Sequence, residues 1–375
     1  VNLPSIAEPQ ARRSPIFRMK TYRNLYPELT SFANLDAAWR KARRGKRGKE
    51  AVARFEANAE GELFQLEREL ADGSYRPGPY RSFLIHDPKP RKISAAPFRD
   101  RVVHHALCNV IEPLYEPRFI YDSYANRVGK GTHRALDRAQ TYARAYRYVL
   151  KADIETFFPA IDHAILKQIL WRHIVCPETR RLMGIIIDSG QGILADQYRQ
   201  RWFPGDDLLA ATRPRGLPIG NQTSQFWANV YLNPLDHFIK RELKCRAYVR
   251  YVDDFLLFHD DKAILHRWRE AIESFLVRLR LTIHPDKSVV FPVADGIPFL
   301  GFQLFPTHRR LLKGNVRAFL RRFRGQRRAI RRGDLVFADI KPSLAAWNAH
   351  ADHGQTWRLR VKLFGQRPIP ATGSR

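Results

Sequence analysis

The chain is short of cysteine, of acidic charge and of long apolar runs, and each shortage closes off a class of protein. Its three cysteines, Cys108, Cys176 and Cys245, are odd in number, far apart and without paired zinc spacing. That pattern speaks against a disulfide framework or a zinc ribbon and reads as reduced core thiols of a cytosolic protein. No run approaches the roughly eighteen apolar residues of a membrane-spanning helix, and Val1 to Lys20 lacks the apolar core of a secretory signal. No internal repeat is present. The acidic deficit is the largest departure: 37 Asp and Glu face 65 Lys and Arg, a formal charge of +28, far more than solubility asks of a chain this size. Such an excess attracts a polyanion, with binding that tightens at low salt through counterion release.

What is present centres on Ala247 to His259, AYVRYVDDFLLFH, where two apolar arms close around Asp253 and Asp254. Apolar arms about a two-residue polar centre predict a β-hairpin with both aspartates at its tip. Adjacent carboxylates repel and resist desolvation unless a cation sits between them, so the tip reads as a metal site. A surface Asp-Asp turn is the bland alternative. A second acidic strand end lies about a hundred residues upstream in YVLKADIETFF, Tyr148 to Phe158, where the strand runs into Asp153 and Asp162-His163 opens a helix. Carboxylates from neighbouring strands suit a pair of divalent ions for phosphoryl transfer, one activating an attacking hydroxyl and the other stabilising leaving pyrophosphate. Between them lies RGLPIGNQTSQ, Arg215 to Gln225, a break before a helix predicted from Thr223 to Ile239.

These blocks resemble the palm motifs of a reverse transcriptase. Asp87 to Leu107 (DPKPRKISAAPFRDRVVHHAL) resembles the first finger motif and Ser123 to Leu136 (SYANRVGKGTHRAL) the second. Tyr251-Val252-Asp253-Asp254 is similar to the active-site box, and Ile297 to Phe302 (IPFLGF) to the primer-grip hairpin. The resemblance runs from Pro88 to Phe302 and implies an α+β right-hand polymerase. Its palm would be an antiparallel sheet with helices packed on one face, between fingers and a helical thumb. It further implies RNA-directed DNA synthesis with two Mg2+, deoxynucleotide substrates, a template RNA and a primer-template duplex. Group II intron and retroviral enzymes usually carry Gln before the Gly of IGNQTSQ and Pro after its Ser, where this chain has Ile219 and Gln225. That departure resembles the enzymes of diversity-generating retroelements, which miscopy template adenines and work with a small basic oligomeric accessory protein. An apolar Ile219 cannot hydrogen-bond the incoming nucleotide, a plausible source of low fidelity. Alternatives are a retron, antiviral-defence or solitary group II-like reverse transcriptase, and an idle RNA-binding scaffold. Membership implies a cytoplasmic, bacterial or phage-encoded protein.

By the same resemblance, Asp153, Asp253 and Asp254 bind metal and catalyse, with the Ile154 carbonyl as a further ligand. Phe158 excludes a 2′-hydroxyl, while Phe157 reads as core. Arg91 or Lys92 grips the triphosphate, and Ile219, Gly220 and Gln225 border the nucleotide. Lys287, in HPDKS, occupies the place of a pyrophosphate-protonating lysine, against a plain surface lysine as the alternative. His104 and His105 sit in an apolar helix without ligand spacing and read as core or helix-surface residues.

The chain has room for two or three subdomains around more than one core. Residues 1–50 read as a basic extension, either a solvated tail or an RNA contact, ending in WRKARRGKRGK. Residues 51–147 are assigned to the fingers, opening on a helix with Phe55, Ala59, Leu63, Leu66 and Leu70 at its core face and closed by the turn from Asp72 to Pro79. Residues 148–305 form the palm, with a helical insertion at 164–212, and 306–375 the thumb. In a predicted thumb helix, Asn315 to Arg332, Arg317, Arg321, Arg324, Arg328 and Arg331 fall at spacings of four and three beside an apolar face of Val316, Phe319, Leu320, Phe323 and Ile330. The stripe fits tracking of duplex phosphates. Trp347, Trp357 and Leu363 are expected to complete the thumb core.

Overall fold

A computed structural model describes residues 20–85 and 91–365. Most of Val1 to Lys20, the start of the first finger motif from Asp87 to Pro90 and the last ten residues assigned to the thumb lie outside the described residues.

The N-terminal layer is helical. Helices α1 (Tyr26–Thr30) and α2 (Phe32–Arg43) are followed by α3 (Glu50–Glu56) and α4 (Ala59–Ala71). Leu29, Leu35, Ala38 and Ala42 are buried in the same core as Leu63, Leu66 and Leu70. Within the basic extension, the described residues 26–43 are therefore not a solvated tail: apolar residues at helical spacing between the charges bury one stripe of α2, and the charges occupy the other side. The expected single helix through Phe55 is two, broken at Ala57 and Asn58. Strands β1 (Arg81–Ile85) and β2 (Arg91–Ala95) pair antiparallel and lead into α5 (Phe98–Tyr115), against which α2 packs. His104 lies buried in α5, where desolvation pushes its imidazole down to about 3, a neutral core residue as expected.

Helix α6 (Thr132–Ala145) precedes the central sheet. That sheet is antiparallel throughout, in the order β4-β5-β3-β6, from β3 (Tyr148–Asp153), β4 (Tyr248–Tyr251), β5 (Asp254–His259) and β6 (Val289–Pro292). Between β3 and β4 come the short α7 (Phe157–Ala160), α8 (His163–Trp171), α9 (Pro177–Asp188) and α10 (Gln222–His237); α11 (Lys262–Val277) follows β5. The Asp162 side chain caps α8 by accepting from the amides of Ala164 and Ile165. Alternate residues of the strands belong to different cores. Leu150, Ala152, Phe255 and Leu257 join α10 and α11, as the expected helix-covered face requires. Val149, Leu256 and Phe258 face α6 and the C-terminal elements, so the opposite face is covered as well.

A second sheet, β7 (Ile297–Phe299), β8 (Phe302–Leu304) and β9 (Arg309–Leu311), carries the IPFLGF hairpin. Leu300 and Gly301 both have positive φ, 46° and 91°, matching the two-residue turn that joins twisted strands. Helices α12 (Lys313–Arg332), α13 (Phe337–Asp352) and α14 (Trp357–Phe364) complete the chain. Phe319 of α12 stacks on Trp347 of α13 at 3.9 Å between ring centroids. Trp357 is 60% exposed and stands outside the core it was expected to complete; Phe364, two turns further along α14, packs edge-on to Phe319 and Trp347 instead.

Candidate active site

The sheet brings the three aspartates to one end. Asp153 closes β3 and stands directly opposite Asp254, the first residue of β5. The last pair of the β4–β5 hairpin is Tyr251 with Asp254, so the turn is Val252-Asp253 rather than the two aspartates. The strand register corrects the expected tip by one residue, because Phe255 and Leu257 must reach the α10–α11 core while Leu256 and Phe258 face the other way. Val252 adopts φ 57°, a left-handed conformation that a β-branched residue rarely takes. The Ile154 amide donates to the Asp253 carbonyl at 3.3 Å, which joins the end of β3 to the turn.

The electrostatics of this sheet end are unfavourable without a partner cation. Burial first, then the carboxylates of Asp254 and Asp153, push the Asp253 carboxyl from 3.8 up to about 7. Asp254 is raised by burial as well, opposed chiefly by Lys151 and then Lys287. Lys287 Nζ lies 3.2 Å from Asp153 Oδ1, so this lysine, exposed at the surface, pairs with the carboxylate that closes β3. The backbone after α11 runs alongside β3, with His284 N donating to Asp153 O at 2.8 Å, and so delivers the lysine. Among the described residues no group of three or more His, Cys, Asp or Glu side chains is arranged so as to hold a metal ion. Three hard carboxylate donors suit Mg2+, which typically takes one or two protein carboxylates and completes its shell with water and substrate phosphate.

The finger strand β2 docks beside this end through backbone bonds to the IGN segment. Ser94 N donates to Ile219 O at 2.9 Å, and the buried Asn221 side chain donates to Ser94 O and accepts from Ala96 N. Gly220 has φ 118°, and a Cβ there would meet Ile93 Cγ2 at 2.9 Å, so both conformation and space demand glycine. Asn221 was not singled out from sequence; its place just before a helix was the available signal. Adjacent strand residues point to opposite sides, and this separates the two triphosphate candidates. Lys92 Nζ is engaged with the Ile193 carbonyl and the Asp196 carboxylate at 2.9–3.1 Å. Arg91 is exposed and close enough to favour ionisation of Asp253. Phe157 is buried against Tyr231, whereas Phe158 is half-buried and packs on the edge of the same core, its carbonyl accepting from Leu217 N. Gln225 sits one turn into α10, in the wall of a cavity of about 550 Å³ with Glu112, Arg127 and Asn229, a wall that contains none of the three aspartates. Arg317, Arg321, Arg324, Arg328 and Arg331 are all exposed along α12, which continues unbroken through Gly325.

Comparison with known proteins identifies a family. The sequence model of the reverse transcriptase (RNA-dependent DNA polymerase) family matches residues 85–304, which span both finger motifs, the aspartate strands and the IPFLGF hairpin. Protein YkfC of Escherichia coli is 26% identical over 292 residues, covering 66% of this chain and 72% of that protein. The group II intron-encoded protein LtrA of Lactococcus lactis is 25% identical over 219 residues, or 56% of this chain, which spans only 34% of LtrA. Among solved structures, telomerase from Candida albicans aligns with 65% of this chain and 48% of its own at a TM-score of 0.41 and 13% identity. No helix among the described residues is long and apolar enough to cross a membrane. With a family match over more than half its length and the expected carboxylates gathered at one sheet end, the chain belongs to the reverse transcriptases, the RNA-dependent DNA polymerases, built as a right hand of fingers, palm and thumb.

Proposed function

We propose that this chain copies a template RNA into cDNA by nucleotidyl transfer at Asp153, Asp253 and Asp254. The observation that carries the reading is the alignment of Asp153 with Asp254 beside the Val252-Asp253 turn, where burial and mutual repulsion hold Asp253 protonated to unusually high pH. These carboxylates and the Ile154 carbonyl would hold two Mg2+. The ions supply activation of the primer 3′-hydroxyl and charge stabilisation at the leaving pyrophosphate. Arg91 grips the triphosphate, since Lys92 is committed to Asp196. Phe158 packs under the sugar and excludes a ribose 2′-hydroxyl. Lys287 neutralises Asp153 in the free protein and protonates the leaving group once that carboxylate is otherwise engaged. The arginine edge of α12 follows the phosphates of the primer-template duplex.

Ile219 and Gln225 support the finer reading of an adenine-miscopying enzyme for mutagenic retrohoming, with a structured template RNA and a small basic oligomeric accessory protein as partners. The likeness to a group II intron-encoded protein favours a second reading, a solitary group II-like enzyme of ordinary fidelity. Primer extension on a defined RNA with four deoxynucleotides and Mg2+, followed by product sequencing, separates them. Errors concentrated opposite template adenines support the first, and sparse, evenly spread errors the second.

A further inference from the structure

Arg250 sits at the centre of β4 with no exposed surface, and neither has its partner Asp236 of α10. Its guanidinium donates from Nε to Asp236 Oδ1 at 2.7 Å and from Nη2 to Asp236 Oδ2 at 2.6 Å. The remaining nitrogen, Nη1, donates to Asn229 Oδ1 at 3.2 Å and to the Val252 carbonyl at 2.9 Å. The Tyr248 hydroxyl donates to Asp236 Oδ1 at 2.8 Å, and Asn229 Nδ2 donates to Ala125 O. The backbone is engaged too: Arg250 N donates to Asp122 O and Tyr124 N to Arg250 O, so the start of the second finger motif is joined to β4 by a single parallel bridge at Ser123.

A buried ion pair of this kind is no efficient route to stability, because desolvation of both charges offsets most of their attraction, and apolar residues of equal volume commonly stabilise as well. What an apolar pair cannot do is donate to the Val252 carbonyl. That carbonyl belongs to the turn, where no ladder partner is available, and to a β-branched residue held at φ 57°. Strained backbone persists where surrounding bonds over-determine it. We propose that Arg250, oriented by Asp236 and Asn229, is a positioning residue that clamps the Val252 carbonyl and so fixes Asp253 relative to Asp153. The inference rests on the polymerase reading of the site. It also gives the second finger motif a role: through Tyr124 and Ala125, with Asp122 just before it, the segment braces the hairpin that carries the catalytic aspartates.

Two variants test it, Arg250→Met with Asp236→Leu, which removes both charges without leaving one unpaired, and Arg250→Lys, which keeps the charge but cannot bridge Asp236 and the carbonyl together. Measurements are thermal unfolding, kcat and KM for a single deoxynucleotide on a defined RNA template, and Mn2+ affinity of the nucleic-acid-free protein by electron paramagnetic resonance. A misplacement on the order of 1 Å corresponds to a fall of about 100-fold in kcat; we expect that fall in both variants, with KM for the nucleotide little changed, weakened Mn2+ binding and a folded protein. Val252→Gly added to the double variant should recover part of kcat, because glycine takes the left-handed conformation without a clamp. A folded double variant with wild-type kcat and Mn2+ affinity overturns the proposal, and if the double variant does not fold the lysine variant decides on the same criteria. Should the wild-type protein itself fail to extend primers, the polymerase reading fails separately, and the Mn2+ affinities still decide whether Arg250 positions Asp253.

Discussion

Replacing Asp253 by Asn should abolish catalysis and make the metal-free protein more stable. The Asp253 carboxyl is pushed from 3.8 to about 7 by burial and then by Asp254 and Asp153. Its folded-state value lies above the unfolded one, so the fold holds this proton more tightly than the unfolded chain does. Stability is therefore lost as pH rises from about 4 through about 7, and the loss is constant above that window. Some three powers of ten in proton affinity correspond to about 4 kcal/mol. That is an upper bound, because the turn and the side chains move apart to relieve repulsion, and about 2 kcal/mol is the working value. For a chain of this size the corresponding rise in Tm is about 2.5 °C. Differential scanning calorimetry in EDTA at pH 8 and pH 5 reads it directly. The Asn variant should melt higher at pH 8, with the gap closing at pH 5 as the wild-type carboxyl takes up its proton. A variant no more stable than wild type at pH 8, or a gap that widens toward pH 5, refutes the reasoning.

Other consequences can be checked one residue at a time. Arg91→Ala should raise KM for deoxynucleotides about 10-fold by removing a charge-assisted hydrogen bond to phosphate, whereas Lys92→Ala, which removes a pair with Asp196, should change it far less; steady-state kinetics on one template compares them. Phe158→Ala should lower discrimination against ribonucleotides on the order of 100-fold, read as the ratio of kcat/KM values for dNTP and rNTP. Replacing Arg317, Arg321 and Arg324 together by Gln should weaken duplex binding and reduce the slope of log K against log salt by about 0.7–0.9 for each phosphate that the helix then leaves unneutralised. An unchanged slope would remove α12 from the duplex interface.

Much of the site was legible because its chemistry breaks the local pattern. Asp153, Asp253 and Asp254 are charges placed where strands otherwise run apolar, and the α12 arginines keep a helical period beside an apolar face. The hairpin turn was misplaced by a residue because two adjacent aspartates look like a tip, while register is decided by which side chains reach each core, a property of the assembled sheet. Helix α2 was hidden by its lysines and arginines, whose density masks Leu35, Ala38 and Ala42 on the buried side. Arg250 and Asp236 were visible as charges inside apolar segments, but their pairing joins a strand to a helix 14 residues earlier in the chain, and no local period encodes that. Trp357 shows the converse: an aromatic near core residues in sequence that stands exposed at the first position of its helix.

The most direct test of the account is single-nucleotide incorporation on an RNA template with Mg2+, wild type against Asp253→Asn, with RNA binding measured on the same preparations. The account predicts incorporation by the wild type, none by the variant, and nearly equal RNA affinity for both. Incorporation by the Asn variant at a rate near that of wild type would contradict the assignment of the catalytic site.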